Sequence, residues 1–128
     1  LDGSLAIIQA PFNSMIEKKM EISINGTYRL EFLKSGCSGI VFHNLPSGAH
    51  WIEIAYGGER KQIEFVLQGG KVLTINFTLN RFLFFNQLRA EKLDQQIDRN
   101  DWIKSFSDLS IEEIYLTDGR EWFEMNEK

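Results

Sequence analysis

The stretch from Met20 to Phe32, which reads MEISINGTYRLEF, decides the fold class of this chain. Apolar side chains occupy every second position on both sides of an Asn25-Gly26 pair. Such alternation is typical of a half-buried β-strand, because successive side chains of a strand point to opposite faces of a sheet. Asparagine and glycine both tolerate positive φ, so the pair predicts a two-residue turn between antiparallel strands. The stretch therefore predicts a β-hairpin.

The same alternation continues outward from the hairpin in both directions. It returns in five further segments, at 4–9, 40–42, 50–56, 63–67 and 73–79. Turn-forming residues (glycine, proline or asparagine) separate most of these segments. About seven short strands spaced in this way are typical of an antiparallel β-sandwich. No periodic segment of helix length interrupts them, which disfavours a parallel sheet built from βαβ units.

The composition changes near residue 80, which divides the chain into a β-sandwich domain at 1–80 and a helical appendage at 81–128. Residues 87–109 contain no glycine or proline and are rich in Leu, Arg, Ala, Glu, Lys and Gln, all good helix formers. We expect two helical pieces that break near Asn100 and pack on the sandwich. The apolar side of the second piece is formed by Trp102, Ile103 and Phe106.

The segment that follows Leu109 has two interpretations. Ser110 and Glu113 have the spacing of a capping box, which favours a short helix. Asp118-Gly119, with 115–117 before it and 120–123 after it, is also typical of a hairpin turn. The helix is the preferred prediction, and the hairpin is its alternative.

The segment IVFHNLPSGAH, from Ile40 to His50, resembles a stretch found in PEGA-type and carboxypeptidase-regulatory-like domains. In those families a Leu-Pro-x-Gly turn leads into a strand, as Leu45 to Gly48 leads here into 51–56. The resemblance covers about residues 3–80. It implies a prealbumin-like or immunoglobulin-like sandwich with a non-enzymatic accessory role, often in bacterial envelope or multidomain proteins. The bacterial envelope or periplasm is therefore favoured over the cytoplasm.

The charge balance argues against a nucleic-acid partner. The chain carries 14 basic and 18 acidic residues, for a net charge of −4. Nucleic-acid binders usually present a basic face, whereas the densest cationic spots here are the pairs Lys18-Lys19 and Arg60-Lys61.

Two further features of the composition concern membranes and disulfides. The longest strongly apolar run, at 81–85, is far shorter than the roughly 20 residues of a membrane-spanning helix. Cys37 is the single cysteine, so no intrachain disulfide can form. The chain begins with Leu1 rather than Met, which is compatible with a processed form or with a piece of a longer protein.

Three sets of residues could in principle carry chemistry. Cys37 with His43 or His50 could form a nucleophile–base pair, but such a pair needs a third group that orients the base. The same histidines with Glu53 or Cys37 could bind zinc, yet their spacing is not that of a structural zinc site. The carboxylates near the C-terminus, which begin at Glu112-Glu113, are typical of a solvated face. The sequence therefore predicts no catalytic residues, no metal and no cofactor.

Four aromatic residues are the candidate binding residues, namely Trp51, Tyr56, Trp102 and Trp122. Trp51 alternates onto the face opposite Ile52, where the C-terminal helices are expected to cover it; alternatively, it is exposed. Exposed aromatic side chains often anchor a protein partner. The sequence predicts a non-catalytic protein-interaction or assembly module. The alternative is a carbohydrate-binding module in which Trp51 and Tyr56 stack on a sugar.

Overall fold

A computed structural model describes residues 2–9, 20–26, 28–32, 39–56, 58–81, 86–105 and 111–115. These residues form ten β-strands and one short α-helix. The strands are β1 (Gly3–Gln9), β2 (Met20–Ile24), β3 (Tyr28–Phe32), β4 (Gly39–Leu45), β5 (Gly48–Tyr56), β6 (Glu59–Leu67), β7 (Lys71–Arg81), β8 (Asn86–Lys92), β9 (Ile97–Asp98) and β10 (Ile111–Tyr115), and the helix is α1 (Arg99–Ser105). The prediction of a mainly β fold is confirmed.

The strands are arranged in two open sheets. Sheet A has the order β10-β4-β1-β7-β8, and the short β9 also pairs with β7. Sheet B has the order β3-β2-β5-β6 and is antiparallel throughout. Sheet A is mixed, because β1 is parallel to β7 and β10 is parallel to β4. The fully antiparallel arrangement expected from the sequence is therefore wrong for sheet A.

The hairpin predicted from residues 20–32 is present as β2 and β3. Met20 pairs with Phe32 and Ile24 with Tyr28, so three residues separate the paired strand ends, one more than the two-residue turn that the sequence predicted. Asn25 and Gly26, the first two of these three, have φ angles of 52° and 73°, in the left-handed region that both residue types tolerate.

One hydrophobic core takes side chains from both sheets, so the inner faces of the two sheets pack on each other. Sheet A contributes Leu5, Ile7, Ile40, Phe42, Leu45, Leu73, Ile75, Phe77, Leu88 and Ile114. Sheet B contributes Ile22, Ile24, Ile52, Ile54, Tyr56, Phe65 and Leu67. Most of these positions were predicted from the alternation, which is therefore confirmed as the signal of burial.

The expected helical appendage is wrong over much of its length. Residues 86–92 form β8, which pairs with β7 from Ile75 to Arg81. Leu88 lies in the core and Ala90 packs against it, while Arg89 between them is exposed. Helix propensity is a weak preference, and pairing with a long strand overrides it here. Among the described residues beyond position 80, α1 is the one helix, and β8 and β10 belong to sheet A.

The short helix preferred for the segment after Ser110 is also wrong, because Ile111–Tyr115 is β10. Ile111 and Ile114, three residues apart, are equally compatible with a helical stripe. In the structure the two side chains belong to different clusters, since Ile114 joins the main core and Ile111 a second cluster on the outer face of sheet A. The hairpin alternative involves residues 116–123, which lie outside the described residues.

The second cluster explains where α1 lies. It consists of Ala6, Ile8, Val41, Val72 and Trp102, with Ile97 and Ile111 packed against it. Trp102 is 3% exposed, and its indole N–H donates a hydrogen bond of 3.1 Å to the hydroxyl of Thr74. The prediction that Trp102 lies on the buried side of a helix is confirmed, whereas Ile103 is half exposed and Phe106 lies outside the described residues.

In the described part of the chain, no helix has both the length and the apolar character needed to cross a membrane.

Candidate functional site

A polar row crosses the outer face of sheet A from β1 through β4 to β10. Ser4 and His43 are paired residues of adjacent strands, and the hydroxyl oxygen of Ser4 lies 2.9 Å from Nδ1 of His43. Nε2 of His43 lies 2.9 Å from Oε1 of Glu113. Tyr115 stacks on the imidazole, with ring centroids 4.5 Å apart and planes 20° apart. An ionised carboxylate only accepts hydrogen bonds, so in neutral His43 Nε2 carries the proton and Nδ1 accepts from Ser4.

The row contains the residue types of a serine hydrolase triad, but its burial opposes that chemistry. A nucleophile must reach its substrate, and Ser4 is 0% exposed while His43 is 2% exposed. In the hydrolase arrangement the serine bonds Nε2 and the carboxylate bonds Nδ1, which is the reverse of the order found here. The row therefore connects three strands through side-chain hydrogen bonds.

A β-bulge follows His43 in β4. Asn44 has φ = 64°, and the pairing of β1 with β4 shifts register between Gly3 and Ser4. A bulge inserts one extra residue into a strand and changes which face the following side chains occupy. His43 precedes the bulge and points to the outer face by its alternation with Phe42, whereas Leu45, after the bulge, returns to the core.

The two histidines that the sequence offered as a metal or nucleophile pair do not share a site. His43 belongs to sheet A, whereas His50 belongs to sheet B and its ring tilts against Phe65 at 5.6 Å. Both nitrogens of His50 are engaged, Nδ1 with the side-chain amide of Asn25 at 2.9 Å and Nε2 with the carbonyl of Pro46 at 2.6 Å. No group of three His, Cys, Asp or Glu residues suited to a metal occurs among the described residues, and Cys37 lies outside them.

Asn25 holds the first candidate aromatic residue, Trp51, in place. The amide N–H of Asn25 donates to the carbonyl of Trp51 at 2.8 Å, and the amide N–H of Trp51 donates to Oδ1 of Asn25 at 3.0 Å. The indole lies over the hairpin turn, since a β-carbon added to Gly26 would be 3.1 Å from the ring. One turn residue thus positions both Trp51 and His50, although the sequence marked it only as a turn former.

Trp51 borders a groove of about 430 Å³ at one end of sheet B. The groove is lined by Ala49, His50, Trp51, Glu64, Phe65, Val66 and Lys92. Trp51 pairs with Glu64 and Ala49 with Val66 across β5 and β6, and these four side chains point away from the core. Val66 is 64% exposed, which is unusual for a branched apolar side chain, and Trp51 is half-buried. The groove is therefore apolar at its centre and charged at its rim.

The end of β8, which lines the groove through Lys92, and the segment after it cap the edge of β6. Gln96 donates from its amide to the carbonyl of Val66 at 2.7 Å and accepts from the backbone N–H of Gln68 at 2.9 Å. Lys92 donates to the carbonyl of Glu64 at 3.2 Å. These side chains occupy the positions that a further strand would use. The sequence did not indicate this role, because the segment was expected to be helical.

Two of the other candidate aromatic residues, Tyr56 and Trp102, are not part of this groove. Tyr56 lies in the core at 7% exposure, on the face opposite Trp51, so the two rings do not form a common stacking surface. Trp102 is buried on sheet A, far from the expected contact with Trp51. The described helix therefore does not cover Trp51, contrary to the expectation from sequence. Trp122 lies outside the described residues.

Comparison of the chain with protein-family models, with curated proteins and with solved structures finds no match.

Proposed function

We propose that this chain is a non-catalytic protein-interaction module, built as a prealbumin-like β-sandwich, that binds a partner protein at the Trp51 groove. The proposal rests on a difference between the outer faces of the two sheets: one is covered by a helix and the other, among the described residues, is not. On sheet A, α1 and its own apolar cluster cover the outer face. On sheet B, no described helix lies over the outer face, and an exposed apolar centre remains there.

The strand order supports a prealbumin-like rather than an immunoglobulin-like sandwich. In immunoglobulin domains the first strand lies beside the second. Here β1 lies between β4 and β7, while β2 lies between β3 and β5 in the other sheet. Both four-stranded groups, β4-β1-β7-β8 and β3-β2-β5-β6, contribute to one core, as the two layers of a sandwich do.

The groove has the chemistry of a protein-binding hot spot. Binding energy at interfaces concentrates in a few aromatic and apolar residues that a polar rim shields from water. Trp51 and Val66 supply the apolar centre, and Glu64 and Lys92 supply charges of both signs. We expect the partner to insert one large apolar side chain between Trp51 and Val66, with a basic group near Glu64.

A carbohydrate-binding role, the alternative, has less support. Sugar recognition by stacking on this face would have only Trp51 from the candidate pair, because Tyr56 is in the core. A single half-buried indole beside an exposed valine favours a protein side chain as the occupant.

Site-specific photo-crosslinking tests the proposal. A photoreactive amino acid at Val66 of the full chain should label a partner protein in cells of the source organism, and the same group at Ile103 should not. The purified partner should then bind Trp51→Ala about 30-fold or more weakly than the unmodified chain, as hot-spot residues do. Equal labelling from both positions, or equal affinity of Trp51→Ala, would contradict the proposal. If the chain binds a glycan array, loses that binding in Trp51→Ala, and labels no protein from position 66, the ligand of the groove is a sugar and not a protein.

A further inference from the structure

The strand β10 forms one edge of sheet A and, among the described strands, pairs there with β4 alone. It lies beside β4 in parallel, with Ile111 opposite Gly39 and Tyr115 opposite His43. The chain reaches this place from β9, which pairs with β7 on the other side of β1. Because β10 is the last described strand, it can leave β4 without disturbing any pairing in the rest of the described sheet.

The two sides of this pairing are unequally buried. In β4, Ile40, Val41 and Phe42 are 0% exposed and belong to the two hydrophobic clusters. In β10, Ile114 is the one buried side chain, Ile111 is half-buried, and the other three side chains are exposed. Segments with few buried apolar contacts open at lower free energy than the core. A weakly held strand thus occupies a well-formed edge.

The edge beneath β10 also carries a chemical preference. Nε2 of His43 donates to a carboxylate at the third position of β10, which is Glu113. The imidazole stacks with an aromatic ring at the fifth position, which is Tyr115. Ile111 and Ile114 fill the first and fourth positions on opposite faces of the sheet. The fitting segment therefore reads apolar, any residue, acidic, apolar, aromatic.

We infer that β10 opens independently of the rest of the fold and that the β4 edge then accepts an extended acidic segment of a partner protein. The segment would have the five-residue pattern of β10 and would run parallel to β4, as in strand addition to other sheet edges. His43 selects the acidic residue. This inference does not depend on the Trp51 groove, which lies on the other sheet.

Hydrogen exchange on the intact chain tests the independent opening. The backbone amides of β10 should exchange at least about tenfold faster than those of β1 and β7, because local opening exposes them without global unfolding. If β10 exchanges at the rate of β1 and β7, the strand opens only when the whole fold opens, and the inference is overturned.

Peptide binding tests the acceptor edge. A labelled peptide with residues 109–117, LSIEEIYLT, is titrated with the full chain and followed by fluorescence anisotropy. In the variant Ile114→Ala of the whole chain, β10 should compete less with the peptide for the β4 edge. The apparent affinity for the peptide should therefore rise about tenfold, in proportion to the fraction of molecules in which β10 has left β4. The matched control Ile103→Ala removes a half-exposed side chain of α1 and should leave the affinity unchanged. A peptide with Glu113→Lys should bind at least about tenfold more weakly.

Two results would contradict the inference that the β4 edge accepts a segment of a partner protein. Equal binding of the peptide by Ile114→Ala, by Ile103→Ala and by the unmodified chain would show that β10 does not guard an acceptor edge. Concentration-dependent dimers of Ile114→Ala, with no bound peptide, would show that the β10 of a second copy is the occupant instead of a partner segment.

Discussion

The indole of Trp51 lies directly over Gly26, so that a β-carbon on that glycine would sit 3.1 Å from Cζ2 of the ring. This contact joins the turn of the β2–β3 hairpin to β5, and it orients the aromatic residue that borders the proposed binding groove. Two consequences can be measured by changing the turn alone.

Replacement of Gly26 should reveal the contact. Gly26→Ala places a methyl group against the indole and forces an L residue to adopt φ = 73°, a conformation that alone costs roughly 1–2 kcal/mol. The matched control is Gly58→Ala, because Gly58 has φ = 90° and no atom within 4 Å of an added β-carbon. Urea unfolding should show a larger loss for Gly26→Ala. Equal losses of unfolding free energy in the two variants would mean that the Trp51 indole moves away from the new methyl group at no cost in stability.

Replacement of Asn25 should separate the turn geometry from the side-chain bonds. Asn25→Gly preserves the positive φ but removes the hydrogen bonds to the N–H of Trp51 and to Nδ1 of His50. Hydrogen bonds of this kind contribute about 0.5–1.5 kcal/mol each, so we expect a loss of stability of about 1–3 kcal/mol. Partner binding at the groove should also weaken, since Trp51 loses its support. Unchanged stability and unchanged partner affinity would remove Asn25 as a positioning residue.

Ser4, the serine of the polar row, should stabilise the fold through its hydrogen bond to His43. Ser4→Ala leaves Nδ1 of the buried His43 without its hydrogen bond, which should destabilise the fold by about 1–3 kcal/mol. Ser47→Ala, at an exposed turn position, should change stability by no more than about 0.5 kcal/mol. Thermal or urea unfolding of the two variants gives the comparison. Equal stability of both variants would show that the Ser4 hydrogen bond adds nothing to the fold.

The contact between α1 and sheet A can be measured with a double-mutant cycle. Thr74→Val removes the acceptor of the indole N–H of Trp102, and Trp102→Phe removes the donor. Each single change should cost about 1–3 kcal/mol, because it affects a buried polar group or a large packed ring. The double variant should lose less than the sum, with a coupling of at least about 0.5 kcal/mol. Strict additivity would show that this hydrogen bond does not contribute to docking of the helix.

The features that the sequence predicted correctly are local. The hairpin from Met20 to Phe32 depends on neighbouring residues and on a turn pair with one geometric preference. By contrast, Leu88 is the one buried side chain among residues 87–92 of β8, so the alternation is too weak to outweigh the helix-forming composition. The segment is a strand because it pairs with β7 over its whole length.

The candidate sites lie beyond sequence reasoning for a different reason. His43 and Glu113 are 70 residues apart, and they meet because β10 lies parallel to β4. The alternation of apolar and polar residues within a segment does not show which distant strand it will pair with. For the segment that forms β10, the sequence favoured a helix. In the same way, Trp51 was correctly placed opposite Ile52, but which sheet α1 would cover depended on contacts between distant elements.

The central place of β1 in sheet A has a consequence for the order of folding. Its partner strands are β4 and the parallel β7, and both come much later in the chain. During synthesis on a ribosome, β1 cannot be paired on both of its edges until β4 and then β7 have been made. Folding that depends on such distant pairings is slow, on the order of milliseconds to seconds for small β proteins. Until both partner strands are in place, Leu5, Ile7 and Ile8, which the fold buries, form an exposed apolar segment of the kind that chaperones bind.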